Sequence, residues 1–266
     1  MAFSPAGITI HTYVCFPVPQ DDLQMYLDSA WAVLEGQQPQ RSTQPVTDRV
    51  AKLHAATGRP CMCGGIWRPG AAFILQHHGE NVNAFCTDIL NALTLGAARG
   101  VNIAIVGPPG CGKSTVLEPL DEIYHVVGKP ERDNSFPLSG VLKAEVLLWQ
   151  EFSYEAKICA FEDVLSLLVG ERFGIRVMGG QVQCRNRAPM FYTAWSPLRV
   201  QCRDVNKMLA LNQAMDERFK TREWRRPLPR EGRIPTFPKC ARCFASFILA
   251  NATVREAQPG PAQGFH

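Results

Sequence analysis

The stretch VNIAIVGPPGCGKSTVLEPLDEIYHV, residues 101–126, decides how the rest of the chain is read. Its first six residues form a short β-branched run of the kind that makes a buried strand. A glycine-rich loop follows, GPPGCGKST at 107–115, and then STVLEPLDEIYHV, which reads as a helix kinked or shortened at Pro119. Strand, glycine loop and helix in that order are the setting in which the pattern G-x-x-x-x-G-K-[ST] has a physical meaning. Gly107, Gly110 and Gly112 let the backbone curl until its N–H groups and the helix N-terminus face phosphate oxygens. Lys113 adds positive charge at the β- and γ-phosphates of a nucleotide, and Ser114 supplies a hydroxyl ligand for magnesium. The nucleotide-contacting positions are therefore Gly107, Pro108, Pro109, Gly110, Cys111, Gly112, Lys113, Ser114 and Thr115.

Downstream, EVLLW (145–149) is a second buried strand and CAFEDVLSLLVG (159–170) a helix. RFGIRVMGGQVQCRN (172–186) reads as a hairpin turning at Gly179-Gly180, and APMFYTAW (188–195) as a third strand. Such alternation predicts an α/β fold, a parallel sheet flanked by helices, and with the glycine loop a P-loop NTPase, a strand order that AAA+-like proteins share. Upstream, Phe85, Ile89, Leu93 and Ala97 step by four from Val82 to a closing Gly100, a helix. From Asp48 to Gly79 the pattern gives a short helix to Ala56, a Cys-Met-Cys-Gly-Gly turn and a strand, AAFILQ (71–76). Leu23, Leu27, Trp31 and Leu34 predict a helix near the start, and the polar stretch 37–47 a linker. The expected organisation is an N-terminal segment and linker (1–47), a small cysteine-containing α+β region with a lead-in helix (48–99), the NTPase core (100–230) and a Cys-x-x-Cys segment with a disordered tail (231–266).

Length and composition agree with this. The chain has 266 residues, 46% hydrophobic and 20% charged, values of a folded globular protein rather than a disordered or fibrous one. No lysine or arginine precedes Arg41, so no secretory or transit leader is expected. No uncharged apolar run approaches the ~20 residues of a membrane span. The ten cysteines are too sparse for a secreted disulfide scaffold, so reduced thiols and an intracellular, nuclear or cytoplasmic setting are expected.

A phosphate loop binds, and hydrolysis needs in addition an acid to hold magnesium and orient water. Glu151 follows directly on the strand Val146 to Trp149, at the carboxyl edge where such sheets bind ligands. Its alternative is a solvated carboxylate at a strand end. Ser196, at the tip of the third strand, is placed to meet the γ-phosphate or water; its alternative is a plain turn serine. Ser114 and Glu151 are thus the magnesium ligands, and Lys113, Glu151 and Ser196 the candidate catalytic groups.

These strand ends, 38 residues from Lys113 to Glu151 and 45 from there to Ser196, resemble the superfamily 3 helicases of small DNA viruses, the parvovirus replication-protein motor in particular. The likeness runs through GPPGCGKST, EVLLWQEF, GERFGIRVMGGQVQCRNR and APMFYTAWS, and reaches NQAMDERFKTREW (212–224). It implies an ATP-dependent motor using magnesium and acting on nucleic acid, single-stranded DNA by preference, as a homo-oligomer of hexameric type. It further implies that Arg218 is an arginine finger working in trans, and that Arg176, Arg185 and Arg187 on and beside the hairpin touch nucleic acid. The sequence departs from the family at Gln150, where a second acid is usual, at Ser196, where asparagine is usual, and near Gly180, where the hairpin lysine is missing. No His-x-His pair occurs, so no nicking domain is expected. The rival readings are a degenerate nucleotide-binding module that switches an interaction surface without turnover, an AAA+-like protein remodeller and a small-molecule kinase.

Residues 218–233 carry seven basic and two acidic side chains around Trp224, either a phosphate-backbone contact or a structural arginine face. Cys61-x-Cys63 and Cys240-x-x-Cys243 would make a zinc site only if the fold joined them; scattered core cysteines are the expectation. Cys111, beside Lys113, is expected to be a reactive thiol whose modification blocks nucleotide.

Overall fold

The computed structural model describes residues 46–131, 134–178, 180–229 and 237–253. The expected helix near residues 21–35, most of the linker, Gly179 at the hairpin turn and the tail lie outside them. Three helices come first: α1 (Val46–Thr57), α2 (Trp67–His77) and α3 (Val82–Leu95). The core then runs β1 (Asn102–Val106), α4 (Lys113–Leu117), a 3-10 turn (Glu118–Glu122), β2 (Val126–Val127) and a second 3-10 turn (Ser139–Lys143). After these come β3 (Val146–Trp149), α5 (Phe161–Val169), β4 (Arg172–Val177), β5 (Gly180–Arg185) and β6 (Met190–Ala194). The last elements are α6 (Val205–Asp216), β7 (Phe219–Glu223) and α7 (Ala241–Asn251).

Five strands form one parallel sheet in the order β2-β3-β6-β1-β7, and β4 and β5 form a separate antiparallel hairpin. The three central strands are buried along their whole length, which is why they read as unbroken apolar runs. Successive side chains leave a strand on opposite faces. Ile103, Ile105, Val146, Leu148 and Phe191 accordingly pack against α1–α3, α4 and α7. Ala104, Val106, Leu147, Trp149 and Tyr192 pack on the other face against α5, the hairpin and α6. Burial of each large side chain is worth about 1.5–3 kcal/mol, so the sheet is the centre of two cores rather than the floor of one.

Two sequence expectations change, and one strand appears that the sequence did not announce. AAFILQ is helical, part of α2, because Trp67, Ala71, Ile74 and Leu75 share one buried face at helical spacing; a six-residue apolar window holds too few turns to distinguish the two periods. Pro69 falls in the first turn of that helix, where its missing N–H costs no hydrogen bond. Helix α3 stops at Leu95, capped by Gly96, rather than running to Gly100, because the Ala97 N–H turns away to the Arg187 carbonyl at 3.1 Å. Finally, residues 219–223 form an edge strand, β7, paired in parallel with β1. At Pro119 the helix after the glycine loop does shorten, passing into the 3-10 turn.

Asn102 ties the amino edge of the sheet together. Its buried amide donates to the carbonyls of Leu168 (2.9 Å), Ala98 (3.1 Å) and Arg218 (3.2 Å), while its oxygen accepts from Met190 N (2.9 Å).

Candidate phosphate site

The glycine loop leaves the carboxyl end of β1, between neighbours β6 and β7. It is held from below before any ligand arrives. Gly107 N donates to Ala194 O (2.9 Å), Trp224 N to Val106 O (2.8 Å) and Leu228 N to Gly110 O (2.9 Å), so β6 and the segment after β7 clamp both sides. Gly107 adopts φ 152°, and a Cβ there would stand 1.9 Å from the Trp224 carbonyl oxygen. Only glycine allows that approach. On the helical side, His78 Nε2 meets the Cys111 carbonyl at 2.8 Å and its ring stacks on buried Trp224, centroids 4.5 Å apart. Desolvation pulls the His78 pKa below the usual imidazole value, against the opposing pull of the Cys111 carbonyl.

Lys113 is 6% exposed, and its Nζ donates to the Gly107 and Pro108 carbonyls, both at 2.8 Å, with the Cys111 sulfur at 3.5 Å. Among the described residues these partners are all neutral. A buried cation without a counter-charge is the arrangement an anion completes. Ser114 and Thr115 are half-buried beside it. Helix α4 spans five residues, Lys113–Leu117, and passes directly into the 3-10 turn, so its first-turn amides lie next to those of the loop.

Gln150 and Glu151 lie just past β3 on the same sheet edge, where Glu151 is exposed and sits at φ 46°. That left-handed turn is fixed from β6: Glu151 N donates to Thr193 Oγ1 (3.0 Å) and Phe152 N to Thr193 O (2.9 Å). Lys129 Nζ donates to the Glu151 carbonyl at 3.3 Å. Ser196 is exposed two residues beyond β6, next to Trp195, which is 69% exposed. Since β3, β6 and β1 are adjacent, the sheet brings Glu151, Ser196 and the glycine loop to one edge.

Other predicted residues are placed elsewhere. Arg218 precedes β7 at the amino edge of the sheet, opposite the loop, and its guanidinium is not free: it donates to Ala214 O (2.6 Å) and Leu165 O (3.2 Å). Burial draws its pKa down from the guanidinium value. A role in trans would require releasing both carbonyls. The Cys111 thiol is fully buried, so a modifying reagent has no path to it in this conformation and the expected reactivity is withdrawn. Trp224 is likewise fully buried, with Nε1 donating to Glu80 Oε1 at 2.9 Å, and cannot stack on a base. Its neighbours are mostly neutralised: Arg222 pairs with Glu80 and Asp88, Lys220 with Asp88, and Arg225 with Glu223. Between residues 218 and 225 the structural arginine face is the reading that holds.

On the hairpin, Phe173, Ile175, Val177, Val182 and Cys184 point inward, leaving an outer face of Arg172, Arg176, Gln181, Gln183 and Arg185. Arg176 pairs with Gln181 near the turn, whereas Arg185 lies about 13 Å further along, opposite Arg172, with Nε on the Gly170 carbonyl at 2.9 Å. Arg187 is exposed beyond the base of the hairpin. The three predicted arginines thus lie on different parts of the hairpin, Arg176 on β4 near the turn, Arg185 at the far end of β5 and Arg187 beyond it. Arg172, Thr193 and Lys129 were not singled out as site residues from the sequence, since only contacts between distant segments place them there.

The strand order and the loop geometry define the class: a P-loop-type α/β protein with a parallel sheet flanked by helices. No protein-family profile matches the sequence, and no curated protein matches it. Among solved structures the chain is similar to the apo NrS-1 C-terminal region, at 15% identity and a TM-score of 0.46, covering 67% of this chain and 44% of that one. It is also similar to JCV helicase bound to a thiazolopyridine acetamide, at 11% identity and a TM-score of 0.45, covering 74% of this chain and 56% of that one. The chain spans about half the length of these proteins.

Proposed function

We propose that this chain binds magnesium and ATP in the glycine loop and hydrolyses the nucleotide as an oligomeric motor acting on single-stranded DNA. The observation that carries the reading is Lys113: a buried ammonium resting on the Gly107 and Pro108 carbonyls, ready to exchange them for β- and γ-phosphate oxygens. The donors present fit the group, since the loop offers amides and an ammonium but no carboxylate. Ser114 and Glu151 would hold magnesium, which when bound neutralises developing phosphate charge. Glu151 accepts a proton from, or orients, the attacking water, and Ser196 positions that water or the γ-phosphate. The exposed arginines of the hairpin face supply the contact to nucleic acid.

Gln150 favours a second reading, in which nucleotide binds and orders a surface without turnover, because a neutral amide is a weaker magnesium ligand than a carboxylate. One assay separates the two: phosphate release from magnesium-ATP, with and without single-stranded DNA, for the wild type, Lys113→Ala and Glu151→Gln. The motor reading expects turnover that rises with DNA and falls at least about a hundredfold in both variants. ATP binding without phosphate release under any condition leaves the binding module. Absence of ATP binding by the wild type removes both.

A further inference from the structure

The loop between α1 and α2 and the amino end of α7 bring together four cysteines that are far apart in sequence. Sγ of Cys61 lies 3.6 Å from Sγ of both Cys63 and Cys243; Cys63 and Cys243 are 3.5 Å apart, and Cys240 is 4.0 Å from Cys61. All four sulfurs lie within 4.8 Å of one another, and none is in a disulfide. A metal bound by four thiolates at about 2.3 Å requires sulfurs at the corners of a tetrahedron with edges of about 3.8 Å. The observed separations straddle that value. The expectation of scattered core cysteines is therefore overturned, and its cause is plain: Cys-x-Cys and Cys-x-x-Cys are each one local turn, and only the packing of α7 against α1, α2 and α3 makes them one cluster.

The surroundings suit a metal better than a packed core. Cys63, Cys240 and Cys243 are buried and Cys61 is half-buried, which leaves one open side. Gly64 and Gly65 follow Cys63 with φ of 59° and 86°, so the chain doubles back immediately after the second sulfur. Arg68 and Arg242 line the depression above the cluster. Four thiolates around a divalent ion carry a net charge of about −2, which two guanidiniums offset.

We infer that Cys61, Cys63, Cys240 and Cys243 form a structural tetrathiolate zinc site that fastens α7 to the helices preceding the sheet. The site is closed, with four protein ligands and none left for substrate, so its role is to hold the fold together; it is independent of the phosphate loop. Binding expels whatever protons the thiols still carry.

The test is metal analysis of the full chain purified under reducing conditions without chelator, followed by replacement of the metal with cobalt(II). Expected are about one zinc per chain and, with cobalt, the visible bands of a tetrahedral site together with thiolate-to-cobalt charge transfer. The double variant Cys63→Ser/Cys243→Ser should lose the zinc and the spectrum, while Cys202→Ser, an exposed cysteine elsewhere, should keep both. Should the double variant not fold, the wild-type cobalt spectrum decides alone. Wild-type chain without stoichiometric zinc and without the tetrahedral spectrum overturns the site. So does stoichiometric iron in place of zinc, or a disulfide within the cluster of the freshly isolated chain.

Discussion

Lys113 and His78 sit on two sides of the same loop, and both are placed by carbonyls: Gly107 and Pro108 for the ammonium, Cys111 for the imidazole. His78 carries a consequence for pH. Its pKa is lowered on folding, so the unfolded chain binds the proton more readily than the folded one. Its contribution to stability is complete above the unfolded value of about 6.5 and is lost as the pH falls from there toward the lower folded value. Urea denaturation at pH 7.5 and 5.5 should show a drop in the wild type that is smaller in His78→Gln. At this scale the glycine loop and Glu151 were legible, because loop curvature and strand-end position are local. The partners of that loop were not: nothing in the sequence near Trp224 or Thr193 says which turn their atoms will meet.

At the scale of elements, the central strands announced themselves through burial on both faces, whereas β7 did not. FKTRE lies at the sheet edge with Phe219 buried and Lys220, Thr221 and Glu223 exposed, and a charged edge strand has no apolar signature to read. Its charges do structural work instead. Arg222, 12% exposed, bridges Glu80 in the connection between α2 and α3 and Asp88 on α3, and its guanidinium lies 5.2 Å from the centre of the Phe85 ring. Arg222→Met should cost about 2–4 kcal/mol, because two partly buried carboxylates lose their main counter-charge. Arg225→Ala, at an exposed pair, should change stability by less than about 0.5 kcal/mol. Urea midpoints of the two variants provide the comparison. The short α2 was misread for the opposite reason, an apolar run too brief to show its period.

At the scale of the whole molecule, the loop and Arg218 occupy opposite edges of one sheet, so any shared catalysis must pass between subunits. The two carbonyl bonds of Arg218 predict that Arg218→Ala unfolds more readily by about 1–3 kcal/mol with no nucleotide present. They also predict that folded Arg218→Ala chains release phosphate on their own, and that adding Lys113→Ala chains does not raise that rate. Arg218→Ala chains that are inactive alone and regain activity when mixed with Lys113→Ala chains would instead show the guanidinium leaving its carbonyls for a neighbour's site.

The core on one face of the sheet joins Leu53, Trp67 and Phe85 from α1, α2 and α3 to Phe244 and Ile248 from α7, and the ring of Trp67 meets Phe244 edge-on at 5.6 Å. During synthesis the two sets emerge about 160–195 residues apart, which at roughly 5–20 residues per second is a wait of about 8–40 s. Until α7 arrives, the nascent chain carries the apolar faces of α1, α2 and α3 without their lid. The moment of greatest exposure to aggregation therefore falls during synthesis, before α7 has been made.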